Sequence, residues 1–150
     1  MSLGPDTGIV LAVCAAGHDV ILDNVGASGI DKRPQAGRVP VTDQGLVLDH
    51  VVDTTHHGGV DQALYAYGEH EAQRWATELG RDLPHGWFGE NLRIDGIETT
   101  DAVVGELWEI GDDGLVAETT IPRTPCRTFA AWAGEARWVK RFMTRADTGT

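Results

Sequence analysis

The chain has 150 residues, 41% of them hydrophobic and 23% charged, which suits one domain with a core and leaves little room for long disorder. Its net charge of −11 argues against nucleic acid as a partner, and no apolar run approaches the ~20 residues of a membrane helix, so no membrane partner is expected either. The charge is uneven: residues 1–120 carry 6 Lys+Arg against 21 Asp+Glu, whereas residues 121–150 carry 6 against 2, so an anionic ligand belongs near the last segment unless that segment is only a solvated basic helix.

Residues 9–16 are apolar, but Asp6 and the lack of Lys or Arg before them argue against a secretory start. Cys14 and Cys126 make no disulfide framework. A cytoplasmic protein with both thiols reduced is expected.

Residues 9–14 read as a buried strand. Residues 38–41 and 46–52 read as two more, joined by the turn Thr42-Asp43-Gln44-Gly45. Residues 63–67 suit a strand that Gly68 breaks. A helix follows over residues 69–79, with Ala72, Trp75, Ala76 and Leu79 on one face and Gly80 as its stop. A turn-rich stretch leads to a strand over 91–94. Residues 106–110 and 115–121 form a hairpin across Gly111-Asp112-Asp113-Gly114. After Pro125 the pattern is helical. Phe129, Trp132 and Ala133 share a face, Gly134 interrupts, and Trp138, Val139, Phe142 and Met143 continue it, before a polar tail over 146–150. Short strands and a few short helices predict a strand-rich α+β domain, either a partial barrel or a strongly curled mixed sheet.

Four segments bear chemistry. In Ile121-Pro122-Arg123-Thr124-Pro125-Cys126-Arg127, Thr124 suits an N-cap and Pro125 the first helical position, which puts Cys126 in the first turn among free N–H groups. Arg123 and Arg127 flank it. All of this favours thiolate, and a thiolate there is a nucleophile, a persulfide carrier or a soft metal ligand; the alternative is a small side chain that packs. Cys14, inside an apolar strand, is expected to pack. In His56-His57-Gly58-Gly59, two glycines can turn N–H groups toward an anion beside an imidazole, or simply make a turn. Gly86-Trp87-Phe88-Gly89-Glu90-Asn91-Leu92 offers Glu90 as an acid or base and Asn91 as a two-way hydrogen bonder, or both as caps. Asp31-Lys32-Arg33-Pro34 is a basic spot in an acidic half, or an exposed loop. The histidines and cysteines lack zinc-ligand spacing, so no structural zinc is expected.

These segments come in a recognisable order: Lys32-x-Pro34, then Gly45-Leu46-x-x-Asp49, His57-Gly58-Gly59-x-Asp61, Phe88-Gly89-Glu90-Asn91-Leu92, and Pro122-Arg123-x-Pro125-Cys126. In that order the chain resembles the MOSC domain, the molybdenum cofactor sulfurase C-terminal domain, in its small stand-alone bacterial form. It departs from the family at Leu48, where a Gly often precedes the Asp.

The resemblance implies a barrel-like fold. It also implies a single domain over residues 1–150 without the further strands with which family chains usually continue. It implies that Cys126 ligates molybdenum and acts catalytically, while Lys32, His57, Gly58, Gly59, Asn91 and Arg123 hold the phosphate end of the molybdenum cofactor (molybdopterin). The activity implied is reduction of N-hydroxylated small molecules, with electrons from a donor protein. The alternative is a persulfide carrier or cofactor-presenting module served by a cysteine desulfurase, pyridoxal phosphate then residing only on that partner or a fused domain.

Overall fold

The computed structural model describes residues 7–150; Asp6, which argued against a secretory start, lies outside them. The elements in chain order begin with β1 (Ile9–Ala15), β2 (Val20–Leu22), β3 (Gly26–Ser28), β4 (Arg33–Pro34), β5 (Val41–Thr42), β6 (Gly45–Leu46) and β7 (Ala66–Gly68). Then follow α1 (Glu69–Leu79), β8 (Leu92–Asp95), β9 (Leu107–Ile110), β10 (Leu115–Glu118), α2 (Arg127–Ala133) and α3 (Trp138–Arg145). The molecule is therefore a strand-rich α+β fold with three α-helices.

A four-stranded mixed sheet is the largest unit, in the order β4-β1-β8-β7. β1 runs antiparallel to β8, with a bulge between Val10 and Ala12, while β7 runs parallel to β8. The other strands pair as three separate hairpins, β2-β3, β5-β6 and β9-β10. Among the described residues no sheet closes into a barrel; of the two expected arrangements, a barrel or a curled mixed sheet, a mixed sheet is present. Apart from β1 the strands are two to four residues long, too short to carry a ladder from one sheet into the next.

The same brevity corrects several expected strands. Pro40 has no N–H to give a ladder, so the strand expected over 38–41 begins only at Val41. The one expected over 46–52 stops at Leu46, because the chain turns there, with the Asp49 N–H on the Leu46 carbonyl, and carries the Asp49 carboxylate inward. The strand expected over 63–67 shifts to Ala66–Gly68, since the Tyr65 N–H bonds the Asn91 side chain instead of a neighbouring strand. β1 is buried only at its end: Ile9, Val10 and Leu11 are exposed.

α1 lies where the periodicity puts it. The Glu71 carboxylate reaches back to accept the Gly68 N–H at its start, and Gly80 ends it at φ 66° in the left-handed region. Gly134 ends α2 the same way. The core is an aromatic cluster of Tyr67, Trp75, Phe88, Phe129, Trp138 and Phe142, all buried. Tyr67 stacks on Phe88 with centroids 4.1 Å apart, and truncating any such ring costs about 3–5 kcal/mol. Val139 and Met143, expected on this face, are exposed. The tail is docked: the Tyr65 and Tyr67 hydroxyls donate to the carbonyls of Thr148 and Asp147, each at 2.6 Å.

Candidate functional site

Six of the seven residues expected at the site line one cavity of ≈ 400 Å³: Lys32, His57, Gly58, Asn91, Arg123 and Cys126. They come from four separate stretches of chain. Gly59 lines a neighbouring depression instead. Apolar side chains of Val51, Leu64, Trp108, Ile110 and Ala117 complete the cavity. Trp108, Ile110 and Ala117 reach it because alternate residues of the β9-β10 hairpin share a face.

Cys126 does not sit in the first helical turn. It is itself the N-cap of α2, with extended φ −127° and ψ 177°, and the first helical residue is Arg127. Burial alone would raise its thiol. His57 hydrogen bonding, the Phe129 N–H and the charge of Arg123 outweigh burial and bring it down to about 6. Of the groups that favour the thiolate, His57 contributes most, ahead of the Phe129 N–H and then Arg123. Cys126 is therefore thiolate at neutral pH and half-buried at the cavity wall. Cys14 packs as expected. Burial and Glu90 push its thiol up to about 12.

Arg127, expected to flank the thiol, turns away and donates to the Asn24 carbonyl at 2.7 Å. Arg145 lies over the Trp75 ring and pairs with Glu78 and Asp147. Of the basic residues after position 120, Arg123 is the one at the cavity. Its Nη1 donates to the Phe88 carbonyl at 3.0 Å. Its guanidinium lies 4.6 Å from the Tyr65 ring centroid and 4.9 Å from that of Phe129, so two aromatic faces hold it by cation–π attraction. Its Nε is buried without an acceptor among the described residues.

Asp49, Tyr65 and Phe129 are the residues sequence reasoning missed here. Asp49 stood in a quoted motif but was given no role. In the structure it accepts from the Ala16 N–H, from Lys32 Nζ with both oxygens, and from Asn91 Nδ2. Asn91 in turn donates to the Cys14 carbonyl and accepts from the Tyr65 N–H, so its amide ties three strand ends together. Glu90 is neither acid nor base for the cavity: it is fully buried, receives the N–H groups of Gly86 and Phe88, and pairs with Arg93. In the basic spot, Arg33 pairs with Asp31, and Lys32 faces inward.

The His57-Gly58-Gly59 turn has φ of 77° and 81° at its glycines, a conformation L side chains rarely adopt. The loop before it is held by the Asp53 carboxylate, which binds the N–H groups of Thr55 and His56. Among the described residues no group of three His, Cys, Asp or Glu is placed to hold a metal ion, and no helix is long and apolar enough to cross a membrane.

Fold and cavity together define the class: a strand-rich α+β domain whose pocket holds an ionised thiol beside an imidazole and an arginine. The family model of the MOSC domain matches residues 53–150, and the chain belongs to that family. It is 30% identical over 122 residues to the protein YflK of Bacillus subtilis (strain 168), covering 81% of this chain and 54% of YflK. It is 28% identical over 125 residues to a protein named reductase from Gibberella moniliformis, covering 81% of this chain and 22% of that one. Its fold is similar to the crystal structure of YiiM from Geobacillus stearothermophilus, with a TM-score of 0.73 at 24% identity over 95% of this chain and 65% of that one. The chain thus spans about half of YflK and less of the reductase.

Proposed function

We propose that the chain is a single-domain, cytoplasmic MOSC module that binds molybdenum cofactor in the cavity and reduces N-hydroxylated small molecules, with electrons from a donor protein. The observation that carries this reading is the Cys126 thiol, brought down to about 6 at the wall of a cavity that also presents Arg123. The donor set suits the cofactor. A thiolate is a soft ligand able to hold a transition metal. Among the described residues Arg123 has no carboxylate partner and a buried Nε without an acceptor, which fits an anionic group on the ligand. The reductase relative adds support at the level of reaction class.

When bound, the cofactor would supply the two-electron redox chemistry. The chain's own residues do the rest. Cys126 offers the ligating sulfur, and His57 keeps it ionised. Arg123 anchors the anionic end; Gly58 lines the same cavity, and Gly59 shapes the turn beside it. Lys32 and Asn91 hold the floor through Asp49. The apolar wall of Trp108, Ile110 and Ala117 limits water around whatever lies against it.

The second reading is a persulfide carrier or cofactor-presenting module served by a pyridoxal-phosphate-dependent cysteine desulfurase. The same thiolate favours it, since attack on a donor's sulfur needs an ionised thiol. Elemental analysis of protein made in a host that synthesises molybdenum cofactor separates the two. The enzyme reading requires stoichiometric molybdenum that Cys126→Ser loses. Metal-free protein with an additional sulfur on Cys126 would select the carrier.

A further inference from the structure

The cavity contains two cations, and they are not equivalent. Lys32 Nζ lies 2.8 and 2.9 Å from the two Asp49 oxygens and 3.2 Å from the Gly29 carbonyl. An ammonium has three donors, and these contacts use them. The two side chains are only 11% and 10% exposed, so the pair is shielded from water and acts as a neutral unit. Arg123 is bound differently. Its partners are two aromatic faces and one carbonyl, none of which cancels its charge. His57 lines the cavity with Cys126 and favours its thiolate. The remaining lining carboxylates, Asp53, Asp61 and Glu118, are exposed.

We propose that Asp49 sets the charge of the cavity: by holding Lys32 in a neutral pair it leaves Arg123 as the cation open to a ligand, so the site selects a ligand with one anionic group seated at Arg123 over one that needs two cations. This rests on the reading of the cavity as a site for an anion-bearing ligand, and it assigns opposite roles to two residues that the family resemblance groups together. Arg123 binds the anion. Lys32 binds Asp49, and through it the Ala16 N–H and the Asn91 amide. Asp49 is thus a positioning and charge-setting residue that needs no ligand contact.

The test compares inorganic phosphate with pyrophosphate by calorimetry at neutral pH and low salt, on metal-free protein. Asp49→Asn keeps the size and an oxygen acceptor but frees the Lys32 charge. It is expected to raise pyrophosphate affinity about tenfold and phosphate affinity about threefold, the gain shrinking as salt is added. A purely structural Asp49 would instead lower both. Arg123→Gln is expected to weaken both probes about tenfold. The double variant Lys32→Gln with Asp49→Asn removes a neutral pair and should bind both within about twofold of the original chain; it decides the matter if Asp49→Asn alone does not fold.

A double variant as weak as Arg123→Gln would make Lys32 the anion ligand and overturn the proposal. So would lower affinity in folded Asp49→Asn, or no binding of either probe to the original chain and Asp49→Asn alike. Molybdenum content is measured separately, so loss of the metal reading leaves these outcomes distinct.

Discussion

The two cysteines mark two regions that treat polar groups in opposite ways. Around Cys14 the interior is closed. Asn91 pairs with Asp49 and Glu90 with Arg93, whose Nε alone of these groups finds no partner among the described residues, and the thiol is held neutral, pushed up to about 12 by burial and Glu90. Around Cys126 the polar groups are left open. Despite burial, its thiol is brought down to about 6 by His57, the Phe129 N–H and Arg123, and Arg123 keeps its charge. A closed network rigidifies a fold, whereas an ionised group beside a cavity is available to a ligand.

The largest expected effect is on reactivity. At pH 7, iodoacetamide should label Cys126 faster than Cys14 by at least about a hundredfold, since the thiolate is the nucleophile. The rate at Cys126 should inflect near pH 6, and His57→Ala should move that inflection upward. The sign for stability follows. A folded value of about 6 against the ordinary 9.0 means the thiolate's contribution is present above pH 9 and lost as pH falls through 6. The margin of the original chain over Cys126→Ser in urea unfolding should therefore grow from pH 6 to pH 9. Equal labelling of both cysteines would erase the contrast between the regions.

How much of this was legible depends on whether the signal is local. The α1 boundaries, the Gly80 and Gly134 stops and the turn of the β9-β10 hairpin follow from periodicity and turn residues within a few positions, and the structure has them there, although the second strand, expected to reach 121, ends at Glu118. The strands over 46–52 and 63–67 failed because distant groups claim them: the chain turns after Leu46 and lends the Asp49 side chain to the Ala16 N–H, and the Tyr65 N–H bonds the Asn91 side chain. That information is tertiary. At the site, the order of motifs brought Lys32, His57, Gly58, Asn91, Arg123 and Cys126 to one cavity. The same motifs could not show which cation is already paired, because Lys32 and Asp49 are 17 positions apart.

The next effect falls on the closed region. Arg93 is buried with Glu90 at 3.0 Å and Glu69 at 3.0 Å. Arg93→Met leaves the fully buried Glu90 carboxylate without its counter-charge, which costs about 3–5 kcal/mol. Urea unfolding measures it. A loss under about 1 kcal/mol, small for a buried pair, would mean that this region is not closed by charge pairing. The surviving folded fraction should still label at Cys126 at its original rate.

Gly86 tests where the regions meet. It lies at φ 91°, and a Cβ there would strike the Lys32 carbonyl. Gly86→Ala combines left-handed strain with overpacking and should cost about 2–4 kcal/mol. Because the obstacle is the Lys32 backbone, relief of the clash has to move the Lys32-Asp49 pair. Stability and the response of anion binding to Asp49→Asn should therefore change together, where Arg93→Met changes stability alone.

The smallest expected effect is the sharpest test of the open region. Gly58 and Gly59 lie side by side with nearly the same φ, 77° and 81°. Alanine at either position adopts a conformation that costs about 1–2 kcal/mol, so the two variants should lose similar stability. Their surroundings differ in one respect that bears on a ligand. Gly58 lines the main cavity, where an added methyl would rest 3.6 Å from the Val51 side chain, an ordinary contact. Gly59 opens onto the neighbouring depression, and an added methyl there meets nothing. Valine at Gly58 would confuse the comparison, since a β-branched residue at positive φ adds strain of its own. With alanine the conformational cost is common to both and cancels in the difference. Phosphate affinity should then fall in Gly58→Ala and stay near the original in Gly59→Ala. Equal affinities in the two variants would return the His57-Gly58-Gly59 segment to a simple turn, leaving Arg123 to hold the anion without it.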